Sequence, residues 1–205
     1  MRSTPELFLQ ELEVYATTWA REPHLDAVEQ RKVLETFMDF VKTEPGCFER
    51  TTVGGHITGS AVIVNEAMTQ ILLTHHRKLN EWLQLGGHAD GDPMPSRVAM
   101  REGHEESGLE DLRFANYGTL FGMPDATLLL DLDVHWIPPH KTDPGHYHYD
   151  ARYLLSTANG QAIRITPESK DLKWFDLDAA YAMSQQWSLH RLFDKVKYVR
   201  DRKSR

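Results

Sequence analysis

The chain is poor in cysteine: Cys47 is the only one among 205 residues. One thiol closes no internal disulfide and cannot hold zinc by itself, which excludes a stapled scaffold and a thiolate metal site. A reducing cytoplasm is the expected setting. Long hydrophobic runs are missing too. No window reaches the roughly 18 consecutive apolar residues needed to cross a bilayer, and the opening MRSTPELFLQELE carries acids where an export signal needs an apolar stretch. No membrane partner is expected. Positive charge is also in deficit: 23 Lys and Arg stand against 30 Asp and Glu, a net −7, and such a chain has no global field to gather nucleic acid. Any polyanionic small molecule must therefore be met locally, through a cation. Internal repeats and low-complexity tracts are absent.

What is present suits one packed core. Apolar residues make up 40% and aromatic ones 10%, enough to exclude global disorder, and the length suits one domain plus an extension. Residues 1–50 read as that extension. Phe8, Leu12, Tyr15 and Trp19 recur at helical spacing behind Thr4-Pro5, and Asp26 with Glu29 resembles a capping box ahead of Leu34, Phe37, Met38 and Val41. Its expected role is packing or dimerisation, which leaves a homodimer open. Within residues 51–205 the period changes. Ala61–Val64 and Ile71–Leu73 are short apolar runs typical of covered strands, and Leu128–Trp136 alternates apolar with polar residues. Helical spacing at 96–107 and near the C-terminus, with strands at 148–155 and 171–175, predicts an α+β fold, a mixed sheet sandwiched between helices. His75-His76-Arg77-Lys78 reads as a hairpin turn, and the basic end from Lys195 to Arg205 complements a helix dipole.

The helix over 96–107 carries the most chemistry. At ~100° per residue, with Arg101 at zero, Glu105, Glu102 and Glu106 fall near about 40°, 100° and 140°. Three carboxylates thus share one face, while Ala99, Met100, Gly103 and Ser107 form a small-residue face suited to a sheet. Carboxylates ~5 Å apart repel by about 3 kcal/mol per pair at an effective dielectric near 20. A hard divalent cation with oxygen ligands offsets this, and Arg101, one turn before Glu105, can fix a rotamer. The preceding Gly86-Gly87-His88-Ala89-Asp90-Gly91-Asp92 permits positive φ and close backbone approach.

These residues resemble the signature of the Nudix hydrolase superfamily. Gly87 matches its first glycine, and Arg101, Glu102, Glu105, Glu106, Gly108 and Leu109 match its second half, seven positions over 23 residues. The resemblance extends over about residues 57–185, from the strand Trp82–Gly87 to the strand-to-helix passage Trp174-Phe175-Asp176-Leu177. It departs at Pro93, where the family has a glutamate, at Gly103, where it has an apolar residue, and at Leu85, where proline is frequent.

The resemblance implies a metal-dependent hydrolase, using Mg²⁺ or Mn²⁺, that cleaves a pyrophosphate linkage in a nucleoside diphosphate derivative or related organic diphosphate. It implies Glu102, Glu105, Glu106 and the Gly87 carbonyl as metal ligands, Arg101, Glu105 and Glu106 as catalytic candidates, and a general base or further ligand from a later loop, for which Glu168 is the candidate, read equally as a solvated loop acid. The rival reading, favoured by Pro93 and Gly103, is a catalytically inactive nucleotide-binding or sensor module. An allylic diphosphate isomerase expects a catalytic cysteine, for which Cys47 is poorly placed. Among eleven histidines, His88 lies in the glycine loop, and His146, His148, Asp150 and Arg152 share one strand face. That face reads either as phosphate contacts, through Arg152 and the imidazoles, or as a solvated surface with an Asp–Arg pair.

Overall fold

The computed structural model describes residues 4–22, 27–77, 79–140, 144–158, 161–167, 169–184 and 186–203. The N-terminal segment forms α1 (Thr4–Thr17) and α2 (Ala27–Thr43); Asp26 of the capping-box reading lies outside the described residues. Strands follow as β1 (Gly55–Asn65), β2 (Gln70–His76), β3 (Trp82–Leu83) and β4 (Leu85–His88), then helix α3 (Pro95–Ser107). The chain continues through β5 (Arg113–Phe114), β6 (Leu129–Ile137), β7 (His146–Thr157) and β8 (Ser169–Asp176) to α4 (Leu177–Met183) and α5 (Trp187–Lys203). This is the expected mixed sheet between helices.

The strands join in one sheet along the path β3-β2-β1-β7-β5, with β4 on β1, β6 on β7 and β8 on β2. Its backbone is the parallel pair β1–β7, in register from Gly55 opposite Tyr147 to Asn65 opposite Thr157. Alternation then sorts side chains between two faces. One face carries Ile57, Gly59 and Ala61 and receives α2 and α3: Tyr149 stacks on Phe40 of α2 at 3.8 Å, and a Cβ on Gly59 would stand 2.5 Å from the Pro95 carbonyl. The other face carries Ser60 and Arg152 and receives α5, whose Ser188 carbonyl accepts from Arg152.

Two readings need adjustment. His75 and His76 belong to β2, with His75 stacked on Trp82 of the neighbouring β3 at 5.0 Å; the turn begins at Arg77, and Lys78 lies outside the described residues. The strand predicted over 61–64 begins six residues earlier, at Gly55. The N-terminal helices pack on the same apolar core as the sheet: Phe8, Leu12, Tyr15, Trp19 and Phe37 are buried in one cluster with Ile57, Val62 and Leu130.

Beneath that cluster lies a buried ionic network. Asp131 accepts from Arg191 at 2.9 Å, from Lys195 at 2.7 Å and from Arg152 at 3.2 Å, and Arg152 also reaches Asp150 and Asp133. Arg152, Arg191 and Lys195 thus balance Asp131, Asp133 and Asp150. Burial alone would raise the Asp131 carboxyl; the Arg191 and Lys195 charges reverse this and hold it at about 2. Lys195 further donates to the Tyr15 hydroxyl, which donates to Gln30, so the network ties α5, β6, α1 and α2 together. Breaking a buried pair from one side costs about 3–5 kcal/mol, because it leaves a charge uncompensated. Asp131→Asn should lower stability by that order in urea denaturation; an unchanged midpoint would show that the network does not hold these elements.

Candidate active site

Helix α3 is set by its start and its small face. Pro95 occupies its first turn, where a missing N–H costs nothing, and the Asp92 side chain accepts from the Met94 N–H at 2.9 Å while pairing with Arg97. Asp92 thereby braces the loop beside Pro93, the position that departs from the family signature. Asp90 and Gly91 adopt positive φ, 50° and 82°, to turn the chain between β4 and α3. Arg50 reaches this turn and forms a salt bridge with Asp90, whose carboxyl it holds below the usual range.

Gly103 explains its own departure. It is buried, and a Cβ there would lie 3.0 Å from Leu112 and 3.3 Å from both Ala61 and Leu155. An apolar side chain would push α3 off β1 and β7. Ala99 and Ser107 are buried on the same side, as the helical projection predicts.

The opposite side presents the acids to β4. A Cβ on Gly87 would meet the Glu102 carboxylate at 2.5 Å, so only glycine leaves space for that approach. Arg101 bridges the pair, donating to Glu102 at 2.8 Å and to the His88 carbonyl at 2.9 Å. Glu106 accepts from the Gly86 N–H at 3.0 Å, and Glu105 is exposed. Arg101, Glu102, Glu105, Glu106 and Gly87 therefore stand together along one helix and the strand beside it. The oxygen-only donor set and the cleared backbone at Gly87 fit a hard divalent cation. Among the described residues, the group with three donor atoms within 4.8 Å of one another is instead His56, His88 and His148.

That histidine group was only half visible in the sequence. Consecutive residues on a strand face opposite ways, so while Gly87 meets α3, His88 projects from the other face of β4. There its ring lies 4.9 Å from His56 and 5.2 Å from His148. His146 joins them, 4.9 Å from His56, with its Nε2 3.2 Å from that of His148. A strand predicted from Ala61 leaves His56 outside it; the alternation His56, Thr58, Ser60 is the sequence signal that places His56 on β1.

Arg152 departs from expectation. Its strand face is not solvated there: the side chain is 3% exposed and its donors are engaged by Asp131, Asp133 and Asp150. Asp150 itself accepts from Thr58 and Ser60 at 2.9 and 2.7 Å. A guanidinium so committed is a structural cation and not an arm for phosphate. Glu168 lies outside the described residues. Cys47 is buried, which pushes its thiol up to about 12, far from a nucleophile's range.

A NUDIX domain family model matches residues 55–195. The chain belongs to the NUDIX family. It is an enzyme of the Nudix pyrophosphohydrolase type, acting on phosphorus anhydrides. A search of curated proteins finds no match. Among solved structures, a NUDIX-family hydrolase from Clostridium perfringens is similar at 25% identity and TM-score 0.53, over 70% of this chain and 97% of that one. An Ap4A hydrolase from C. elegans, in a binary complex, aligns at 17% identity and TM-score 0.51, over 69% and 95%. The E. coli dihydroneopterin triphosphate pyrophosphohydrolase aligns at 18% and 0.52, over 68% and 92%. These last two share the fold. No helix among the described residues is long and apolar enough to cross a membrane.

The histidines give a pH signature. Burial first, and then the neighbouring imidazoles, lower His56 to about 4 and His148 to about 2. Both are neutral in the folded chain and titrate near 6.5 once unfolded. Their contribution is present above pH ~6.5 and is lost as pH falls from there toward 4, because the unfolded chain then takes up protons the folded chain refuses. The thermal midpoint should fall between pH 7 and pH 5, and His56→Gln should flatten that slope. An identical slope in the variant would refute the attribution to His56.

Proposed function

We propose that this enzyme hydrolyses a pyrophosphate linkage in a nucleoside diphosphate derivative or related organic diphosphate, with Mg²⁺ or Mn²⁺ held by Glu102, Glu105, Glu106 and the Gly87 carbonyl. The observation that carries the reading is the approach of the Glu102 carboxylate to the bare Gly87 backbone, locked by Arg101. Two of the structural neighbours are named an Ap4A hydrolase and a dihydroneopterin triphosphate pyrophosphohydrolase, names in keeping with this substrate class.

When bound, the cation neutralises charge on the diphosphate and lowers the pKa of a water. The chain's own residues supply the rest. Arg101 holds Glu102 through its bonds to that carboxylate and to the His88 carbonyl. Glu106, anchored on the Gly86 N–H, ties the second turn of acids to the same strand. Exposed Glu105 is the candidate in this reading to take the proton of an attacking water. The half-buried His88, His146 and His148 stand on the other face of β4 from these acids, so the substrate contacts expected of them form no part of this reading.

Phosphate-bearing products should appear from at least one member of a panel of nucleotide sugars, ADP-ribose, dinucleoside polyphosphates and nucleoside triphosphates, with Mg²⁺ and not with EDTA. Glu105→Gln and Glu106→Gln should each lower kcat/KM by roughly 10²–10⁴-fold, with the thermal midpoint nearly unchanged. Tight binding of a panel member without cleavage would overturn the hydrolytic reading in favour of a sensor. Wild-type rates in both variants would remove the glutamates from the site.

A further inference from the structure

His56 is 2% exposed, yet neither ring nitrogen has a hydrogen-bond partner. A buried polar group left unpaired is costly, and a native fold rarely tolerates one without an unseen partner. Around it stand His88, His148 and His146, contributed by β4, by β7 and again by β7, with ring centroids all 4.9 Å from His56. Ligand nitrogens of His56, His88 and His148 lie within 4.8 Å of one another, close enough to converge on one ion after small rotamer shifts. His56 forms the floor, and the half-buried His88 and His148 leave the site open on one side.

We propose that His56, His88 and His148 bind a borderline divalent transition-metal ion of the zinc type, at a site distinct from the carboxylate helix. Imidazole selects such ions, whereas carboxylates and carbonyls select magnesium and calcium. His146 carries the outer contact usual for a metal-ligating histidine: its Nδ1 faces the Pro144 carbonyl at 2.9 Å, presenting Nε2 to His148. The 3.2 Å between the His146 and His148 Nε2 atoms is close to the ~3.4 Å between two nitrogens sharing a tetrahedral ion at bonds of about 2.0–2.1 Å, so His146 is the candidate fourth ligand. Three strands would then be clipped together beside the loop that leads to α3. The proposal does not depend on the hydrolytic reading, since it concerns a different donor set.

The test is titration of untagged, EDTA-treated full-length protein with Co²⁺ and then Zn²⁺. One equivalent of Co²⁺ should give the intense visible bands of a low-coordinate nitrogen site, and Zn²⁺ should displace it. The spectrum should persist in a Glu105→Gln, Glu106→Gln double variant and be weakened at least about ten-fold in His88→Ala and in His148→Ala, with a smaller loss in His146→Ala. Loss of the signal in the glutamate variant but not in the histidine variants would overturn the proposal, as would a weak six-coordinate spectrum. X-ray absorption on the zinc-loaded wild type decides independently of any variant's folding. A shell of at least three imidazole nitrogens supports the site, and an oxygen-only shell or failure to retain zinc refutes it.

Discussion

The distance at which α3 lies against the sheet governs this molecule. Three glycines set it. Gly59 admits the Pro95 carbonyl, Gly103 admits Ala61 and Leu155, and Gly87 admits the Glu102 carboxylate, each at a separation that a Cβ would close. Interiors are packed to near-crystalline density, so a methyl group at Gly59, which would stand 2.5 Å from the Pro95 carbonyl, must be absorbed by moving the helix, whereas one at Gly87 would displace the Glu102 carboxylate. The acids sit where they do because these glycines let the helix come this close. Positioning of the carboxylates and packing of the core are therefore one constraint, expressed at two ends of the same glycine-lined seam.

On the far face the chain meets the opposite problem, that of burying charge. Desolvating one ion costs several kcal/mol, and attraction offsets this only where the remaining donors and acceptors are filled. Asp150 shows how it is met, with Thr58, Ser60, Gln84 and Arg152 all donating to one carboxylate. Asp131 does the same with three cations. Because Tyr15 and Lys195 share a hydrogen bond and Trp19 donates to the Leu129 carbonyl at 3.0 Å, the N-terminal helices are built into this arrangement. The compositional change near residue 50 is not a break in packing.

Much of this was legible from residue order. The projection of Arg101, Glu102, Glu105 and Glu106 onto one helix face, opposite Ala99, Gly103 and Ser107, depends on local geometry alone, and the helix follows it. The strand at Leu128–Trp136 declared itself by alternation in the same way, as β6. What stayed hidden was non-local. No local pattern states that β1 runs parallel to β7 with His56 opposite His148, so the convergence of histidines from separate strands had no sequence signature. Arg152 misled for a related reason: an Asp–Arg alternation on a strand looks the same whether water or a second helix covers it. Only the third and fourth partners, Asp131 and Arg191, reveal which. At Gly103 a departure from the family signature looked like a defect, and the neighbouring side chains show it to be a fit.

The strand β4 links these two faces through its two-residue period. Gly87 and His88 are consecutive, so the carboxylates of α3 and the imidazoles of β1 and β7 address opposite sides of a single strand and cannot mix their donors. That separation lets one short segment offer oxygen ligands on one side and nitrogen ligands on the other, two donor sets with different ionic preferences. Both depend on the same register, Thr58 opposite His88 and Gly59 opposite Gly87. A slip of one residue would drive an imidazole into Glu102 and leave a bare glycine among the histidines. The positive-φ turn at Asp90 and Gly91, braced by Arg50 and by the hydrogen bond from the Gly91 N–H to the Phe48 carbonyl, pins that register from just beyond the strand's end. The segment joining the N-terminal helices to the sheet thus reaches the chemistry without touching it.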